Sequence, residues 1–298
     1  MMDALNPTAA HEQAEQISIR SPLRPPAYTY LLPRALHRDL WSHRHLIEDL
    51  TLRDLQLRFR GSWLGIFWTL LKPLVLLVIY TFVFGVVFRA HWGPLPGESR
   101  FEFAVALFCG LVIYGVFAEC ASAAPSLILR QRQFVKRVVF PLQILPIVSL
   151  GSVLAASAFS FVILVLGVAM LRGGLPVTLV WLPLILLAIS HIALAVGWLC
   201  AAGGVFLRDL EQAVAVVVTL LYFATPIFYP LSAVPEPYRQ ILLLNPLTLI
   251  VESARDAVVW GRTPPVAELC ALVLSTAVLA LLSYVVFMKV RRGFADVL

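Results

Sequence analysis

The run "LRDLQLRFRGSWLGIFWTLLKPL", Leu52 to Leu74, carries Arg53, Arg58 and Arg60 at one end and a long apolar segment at the other. Lys72 and Pro73 interrupt the apolar part. Arginines set against an apolar segment mark a chain entering a bilayer from its inner, anionic face. The composition agrees with that reading. Of the 298 residues, 60% are hydrophobic and 13% charged, whereas a soluble domain carries about 25% charged residues. Mean hydropathy is +0.87. An ordinary soluble domain is excluded, and the expected fold class is an all-α polytopic membrane protein.

Crossing a bilayer as a helix takes about 20 apolar residues. Runs of that kind are read at Trp63–Phe88, Phe103–Leu127, Leu142–Leu171, Val177–Phe206, Val214–Tyr229 and Leu269–Val290, which gives about six transmembrane helices. The fifth is short and leads into a Pro-rich stretch. No signal peptide is expected ahead of the first run, because too much charge precedes it. Arginines from Arg20 to Arg60 precede the first span, Arg130, Arg132, Lys136 and Arg137 separate the second from the third, and Lys289, Arg291 and Arg292 close the last. The loops between carry Glu98, Glu102, Glu236, Glu252 and Asp256. Both termini are therefore expected in the cytoplasm. The positive charge is assigned to the membrane surface and a protein partner, not to nucleic acid. Cys109, Cys120, Cys200 and Cys270 lie in apolar segments without paired spacing and read as small core residues.

Three regions are expected: a poorly ordered, Pro-rich tail over 1–34, an interface region over 35–60, and a transmembrane domain over 61–298. In the interface region Leu36, Leu40, Ile47 and Leu50 share one helical face. From Leu52 the stripe moves to Leu55, Phe59, Trp63 and Ile66, and Thr51 followed by Asp54 has the capping-box pattern. The reading is a helix on the inner membrane surface, a break at Thr51, and a second helix turning into the bilayer. His37, His43 and His45 are close in sequence, but no carboxylate or thiol completes a ligand set.

Three further stretches stand out. "LRQRQFVKRVVFPLQILPI", Leu129–Ile147, joins two spans on the inner side and is long enough for a short helix. "LRDLEQ", Leu207–Gln212, is a tight inner loop. "TPIFYPLSAVPEPYRQILLLNPLTLIVESARDAVV", Thr225–Val259, is too apolar for a floppy loop and too broken by proline to span. A re-entrant pair of short helices fits, provided protein covers its backbone.

These segments, in this order over about residues 35 to 290, resemble the membrane subunits of ABC-2-type exporters of polysaccharide (O-antigen, capsule or teichoic acid). The residues that carry the resemblance are "RDLQLRFRGSWLGIFWTLLKPL", "FVKRVVFPLQILP", "LRDL", "TPIFYPLSAVPEPYR" and "NPL" followed by Glu252 and Arg255. The resemblance implies a homodimer docked on two ATPase subunits, with a polyprenyl-linked polysaccharide passing between protomers. It implies a coupling loop with Arg130, Arg132, Phe134, Lys136 and Arg137, beside an interface helix with Leu40, Ile47 and Leu50 and the inner-loop residues Arg208 and Asp209. It implies an outer gate over about Leu231–Arg262, to which Pro226, Pro230, Asn245, Pro246, Glu252 and Arg255 are assigned. The location implied is the bacterial inner membrane.

The residues themselves speak against ATP hydrolysis by this chain. No GxxxxGK[ST] loop is present and the inner loops are too short for a nucleotide-binding domain, so ATP and magnesium belong to the partner and no cofactor is expected here. Sugar rings stack on aromatic faces, which makes Tyr80, Tyr114, Phe117, Tyr222, Phe223 and Tyr229 candidates for a glycan path, with Phe101, Phe103 and Phe228 beside them. An interfacial aromatic belt, or plain helix packing, remains the alternative. Lys72 and Glu119 lie about 18 Å and 16 Å along successive antiparallel spans at 1.5 Å per residue. They either pair within the membrane, or Lys72 snorkels and Glu119 faces a pore or is protonated. Two other functions stay open: export of a small hydrophobic compound, and a membrane-embedded glycolipid enzyme.

Overall fold

The computed structural model describes residues 33–59, 67–87, 100–131 and 140–297. Every regular element among them is helical. Two helices, α1 (Pro33–Ser42) and α2 (Arg44–Phe59), precede the apolar bundle. The bundle contains α3 (Phe67–Tyr80), which continues as a π-helical turn over Thr81–Val87, and then α4 (Arg100–Ala123), α5 (Leu145–Arg172), α6 (Leu182–Phe206) and α7 (Leu210–Ala224). Two short helices follow, α8 (Glu236–Leu243) and α9 (Pro246–Ala254), the latter running into a π-helical turn over Arg255–Trp260. The last long helix is α10 (Val266–Val290), with a terminal turn, α11 (Phe294–Val297).

Proline and glycine punctuate this order. Proline stands in the first turn of α5, α6, α8 and α9, where a missing N–H costs no hydrogen bond. Gly173 ends α5 at φ +70° and Gly261 ends the second π-helical turn at φ +60°, a conformation that strains other residues.

Four segments are long and apolar enough to cross a membrane: Phe101–Ser126, Leu142–Arg172, Val177–Phe206 and Val266–Gly293. They correspond to the second, third, fourth and sixth expected runs. The fifth run departs from its expected bounds. Its helix, α7, has 15 residues and stops at Ala224. At 1.5 Å per residue that is about 22 Å, short of a hydrocarbon core about 30 Å thick. Thr225–Pro230, expected to finish it, is non-helical, and Thr225 to Phe228 are buried by the rest of the fold. The first run is helical from Phe67, and its beginning at Trp63 lies outside the described residues.

The second span is the centre of the bundle. Its most apolar window is 72% buried, against 28% to 33% for the other three. It packs on α5, α6, α7 and α9, and α6 packs in turn along α10. One approach is very close. A Cβ added at Gly204 of α6 would lie 2.1 Å from the carbonyl oxygen of Pro125, in the turn that ends the second span.

The expected break at Thr51 is not there. The chain turns at His43, and α2 runs through Thr51 to Phe59. Leu36, Leu40, Ile47, Leu50, Thr51 and Asp54 are half-buried; of the stripe expected after Thr51, Leu55 is half-buried and Leu52 is 57% exposed, and the side chains of Phe59, Trp63 and Ile66 lie outside the described residues. The physical reason is tertiary. The Thr51 side chain packs where Gly151 of α5 has no Cβ, about 3.1 Å from where one would stand. Asp54 reaches Arg58, 3.8 Å away, one turn on. The expected tail over 1–34 lies outside the described residues up to 32, and helix already begins at Pro33.

Gly204→Val should therefore lower thermal stability in detergent, by about 1–3 kcal/mol for overpacking against backbone that cannot rotate away. Gly174→Ala, where an added Cβ meets nothing within 4 Å, is the matched control and should leave the melting midpoint unchanged.

Candidate functional site

The Pro-rich stretch after α7 is organised around Arg255. Its side chain is fully buried. The guanidinium donates to the carbonyl oxygens of Ala106 (3.1 Å), Pro226 (2.5 Å) and Ile227 (2.8 Å), and to the Glu252 carboxylate (2.7 Å). Ala106 belongs to α4, and Pro226 and Ile227 to the non-helical segment. One side chain thus satisfies buried, irregular backbone that has left its helix. Gly110 of α4 makes the room: an added Cβ there would stand 2.6 Å from a guanidinium nitrogen.

The "NPL" motif has a mechanical role next to this. The Asn245 side-chain oxygen caps α9 by accepting from the Leu247 N–H at 3.0 Å, and its amide donates to Thr225 Oγ1 at 3.0 Å. Pro246 is the first residue of α9. Pro230 precedes a short turn, Leu231–Ala233. The far end of the unit is held by two more donors, Arg172 Nε to Val259 O and Thr178 Oγ1 to Ala257 O, both at 2.6 Å. The six residues expected at an outer gate therefore fall in one connected unit, and Pro226, Asn245, Glu252 and Arg255 form its centre.

The candidate glycan-path aromatics also meet. Phe117 packs edge-on against Tyr114 at 5.9 Å between ring centroids, Tyr114 against Tyr222 at 5.3 Å, and Tyr222 against Phe223 at 5.5 Å and Phe228 at 4.9 Å. Tyr80 packs on Phe228 at 5.2 Å. Tyr229 joins through its hydroxyl, which donates to the Phe223 carbonyl at 2.8 Å. Two other hydroxyls are engaged inside the cluster, Tyr114 with Val218 O and Tyr222 with the Tyr80 hydroxyl at 3.1 Å. Phe117 is buried in the core and does not line the cavity beside the cluster.

Beside the cluster lies a cavity of about 780 Å³ among α3, α4, α5 and α7. Tyr114 and Tyr222 form part of its wall, with Trp68, Phe108 and the hydroxyls of Ser122, Ser157, Ser160 and Thr219. Gly115 faces open space, since an added Cβ there meets nothing within 4 Å. Arg58 and Glu119 also line it, and the two are ion-paired. Glu119 is thus held by Arg58; the side chain of Lys72, its expected partner, lies outside the described residues. Of the expected coupling loop, Arg130 is exposed in a short turn, and Arg132, Phe134, Lys136 and Arg137 lie outside the described residues. Leu40, Ile47 and Leu50 form the half-buried face of α1 and α2, and Arg208 and Asp209 are exposed between α6 and α7.

The expectations omitted one group of polar residues altogether. Asp39, Gln143, Tyr284 and Arg291 form a hydrogen-bonded junction among α1, the start of the third span and the end of α10. The available signal was Gln143, an amide inside the apolar run "FPLQILP".

A helical bundle with apolar segments long enough to cross a membrane, a cavity walled in part by tyrosines and an arginine-pinned hairpin has the build of a transport subunit. The profile of the ABC-2 type transporter family matches residues 46–259, and the chain belongs to that family. It is similar to the O-antigen export system permease protein RfbA of Myxococcus xanthus, 33% identical over 88% of this chain and 98% of the relative. A protein of the same name from Klebsiella pneumoniae is 28% identical over 85% of this chain and 95% of its own length. The polysialic acid transport protein KpsM of Escherichia coli is 27% identical over 72% and 81%.

Arg255→Met should cost about 3 kcal/mol or more of stability, because it leaves three buried carbonyls and a half-buried carboxylate without their donor. Gly110→Val should mimic it by displacing the guanidinium. Both are read as loss of monodisperse protein after purification, and a yield equal to wild type for Arg255→Met would contradict the role given to this residue.

Proposed function

We propose that this chain is the permease subunit of an ATP-driven exporter that moves polysaccharide out of the cytoplasm through the bacterial inner membrane. The observation that carries the reading is similarity over nearly the whole length to permeases that export O-antigen. The tyrosine-walled cavity supports it, since aromatic faces and hydroxyls suit the apolar and polar sides of sugar rings.

The finer reading has these parts. The chain spans six times, with α3 plus its π-helical turn and the short α7 as the first and fifth spans. The α8–α9 hairpin is re-entrant and gates the outer side; its proline-broken backbone and the burial of α9 support this. Both termini are cytoplasmic, in keeping with the basic residues before the first span, between the second and third, and after the last. Two copies of the chain pair around the cargo and dock on two copies of an ATPase, which binds the ATP and magnesium. The ATPase meets the loop at Arg130–Arg137 and the helices α1 and α2. The cargo is carried on a polyprenyl lipid, as the resemblance implies, and the apolar cavity wall is compatible with that.

Two experiments test this. Co-purification with the ATPase encoded nearby should yield a stable complex, and changing Arg132 and Lys136 together to Glu should break or uncouple it; a chain that purifies with no ATPase partner contradicts the reading. Gly115→Phe, which projects a ring into the cavity from a position where an added Cβ meets nothing within 4 Å, should abolish surface polysaccharide while leaving the melting midpoint unchanged. Normal surface polysaccharide in that variant would remove the cavity from the path.

A further inference from the structure

A polar junction outside the cavity ties the N-terminal helices to the bundle. The Asp39 carboxylate of α1 accepts, on one oxygen, from Gln143 Nε2 at 2.8 Å and from the Tyr284 hydroxyl at 2.9 Å. The Gln143 side-chain oxygen accepts from Arg291, and its backbone carbonyl accepts from Trp198 Nε1 at 3.0 Å. The Trp198 and Tyr284 rings pack edge to face at 5.4 Å. Gln143 is 4% exposed, and Tyr284 and Trp198 are 1% exposed. Partners lie 104 and 245 residues apart in sequence, so the contacts join separate elements.

The chemistry fixes how the amide is oriented. A carboxylate only accepts and a guanidinium only donates, so Gln143 must turn its nitrogen to Asp39 and its oxygen to Arg291. Every polar group of the Gln143 side chain is matched to a partner of the right sense. Such a network holds one geometry and tolerates few others. Its position is the second half of the argument. Gln143 comes shortly after the Arg130–Arg137 segment assigned to ATPase contact, and Asp39 lies on the helix assigned to the same interface.

We propose that Asp39 and Gln143 are positioning residues for transport: they lock α1, the start of the third span and the end of α10 into one body, so that a displacement imposed at the ATPase interface moves all three together. This rests on the exporter reading above. Neither residue touches cargo or nucleotide; each acts by holding the elements that do the moving.

The test uses the chain in complex with its ATPase, reconstituted in proteoliposomes. ATP hydrolysed and polyprenyl-linked polysaccharide (extracted from the source strain's membranes) carried across are measured together, and their ratio is the readout. Q143E sets two carboxylates against each other. It should lower export per ATP about tenfold while ATP hydrolysis stays within about twofold of wild type, as expected for a like-charge clash of more than 1.4 kcal/mol. The double variant D39N/Q143E exchanges the two groups: the new amide nitrogen takes the place of the shared oxygen and donates one N–H to the new carboxylate and the other to the Tyr284 hydroxyl, which now accepts, and the new carboxylate still accepts from Arg291. It should return export per ATP to near wild type. A wild-type ratio in Q143E, a double variant no better than the single one, or export and hydrolysis falling in equal proportion would each overturn the proposal. If Q143E does not assemble, Tyr284→Phe, which removes one hydroxyl, is read on the same ratio; a smaller loss is expected and no loss overturns it. A wild-type complex that shows no ATP-dependent export contradicts the exporter reading itself, and this proposal falls with it.

Discussion

The Arg255 guanidinium is the contact on which the segment after α7 depends. A buried chain that leaves helical geometry leaves carbonyls without their helical donors. Here Pro226 and Ile227 do so, and the same cation that satisfies both also reaches Ala106 on the central helix and Glu252 one turn before it. Remove the cation and the carbonyls of Pro226 and Ile227 lose their donor, leaving the segment held by Asn245 at Thr225 and by the packing of Phe228. Phe228 is the next residue in that segment, and its ring sets the positions of Tyr80 and Tyr222. Tyr222 in turn packs on Tyr114, and those two form part of the cavity wall. The line from a buried charge to the shape of the cavity is therefore unbroken.

Such an arrangement is a poor way to maximise stability. Burying a guanidinium and a carboxyl carries a desolvation penalty that an apolar pair of equal size would avoid. What the pair supplies is a fixed geometry for backbone with few alternatives. Gly110 shows how closely the surroundings fit it, since even a methyl group there would collide with the guanidinium. The second junction, around Gln143, has the same character at another place in the bundle. Both sites hold pieces of chain that are distant in sequence, and both do it with a charged group rather than with apolar packing alone.

Hydrophobic run length made the four long spans legible, and the bounds of the fourth, Val177–Phe206, coincide with the observed segment. The proline-rich stretch also read correctly as short helices rather than a loop. Local patterns failed where tertiary packing decided. Thr51 and Asp54 fit a capping box, yet the absent Cβ at Gly151 draws Thr51 into the middle of a helix. Depth counting placed Glu119 well along its span, but depth says nothing about which neighbour a side chain faces, and Arg58, 61 residues earlier, holds it. The link from Arg255 to Ala106 spans 149 residues and ends on a backbone carbonyl, which leaves no mark in side-chain patterns. Asp39 and Gln143 escaped notice for the same reason: each looks ordinary until its partner is known.

The central claim, that this subunit carries polysaccharide outward, is tested most directly by deleting its gene in the source strain. Surface polysaccharide and the polyprenyl-linked form retained inside are then measured, with and without a wild-type copy restored. Export by this chain predicts loss of the surface polymer together with a build-up of the lipid-linked polymer inside, both reversed by the restored copy. Unchanged surface polysaccharide, or loss without internal build-up, would contradict it.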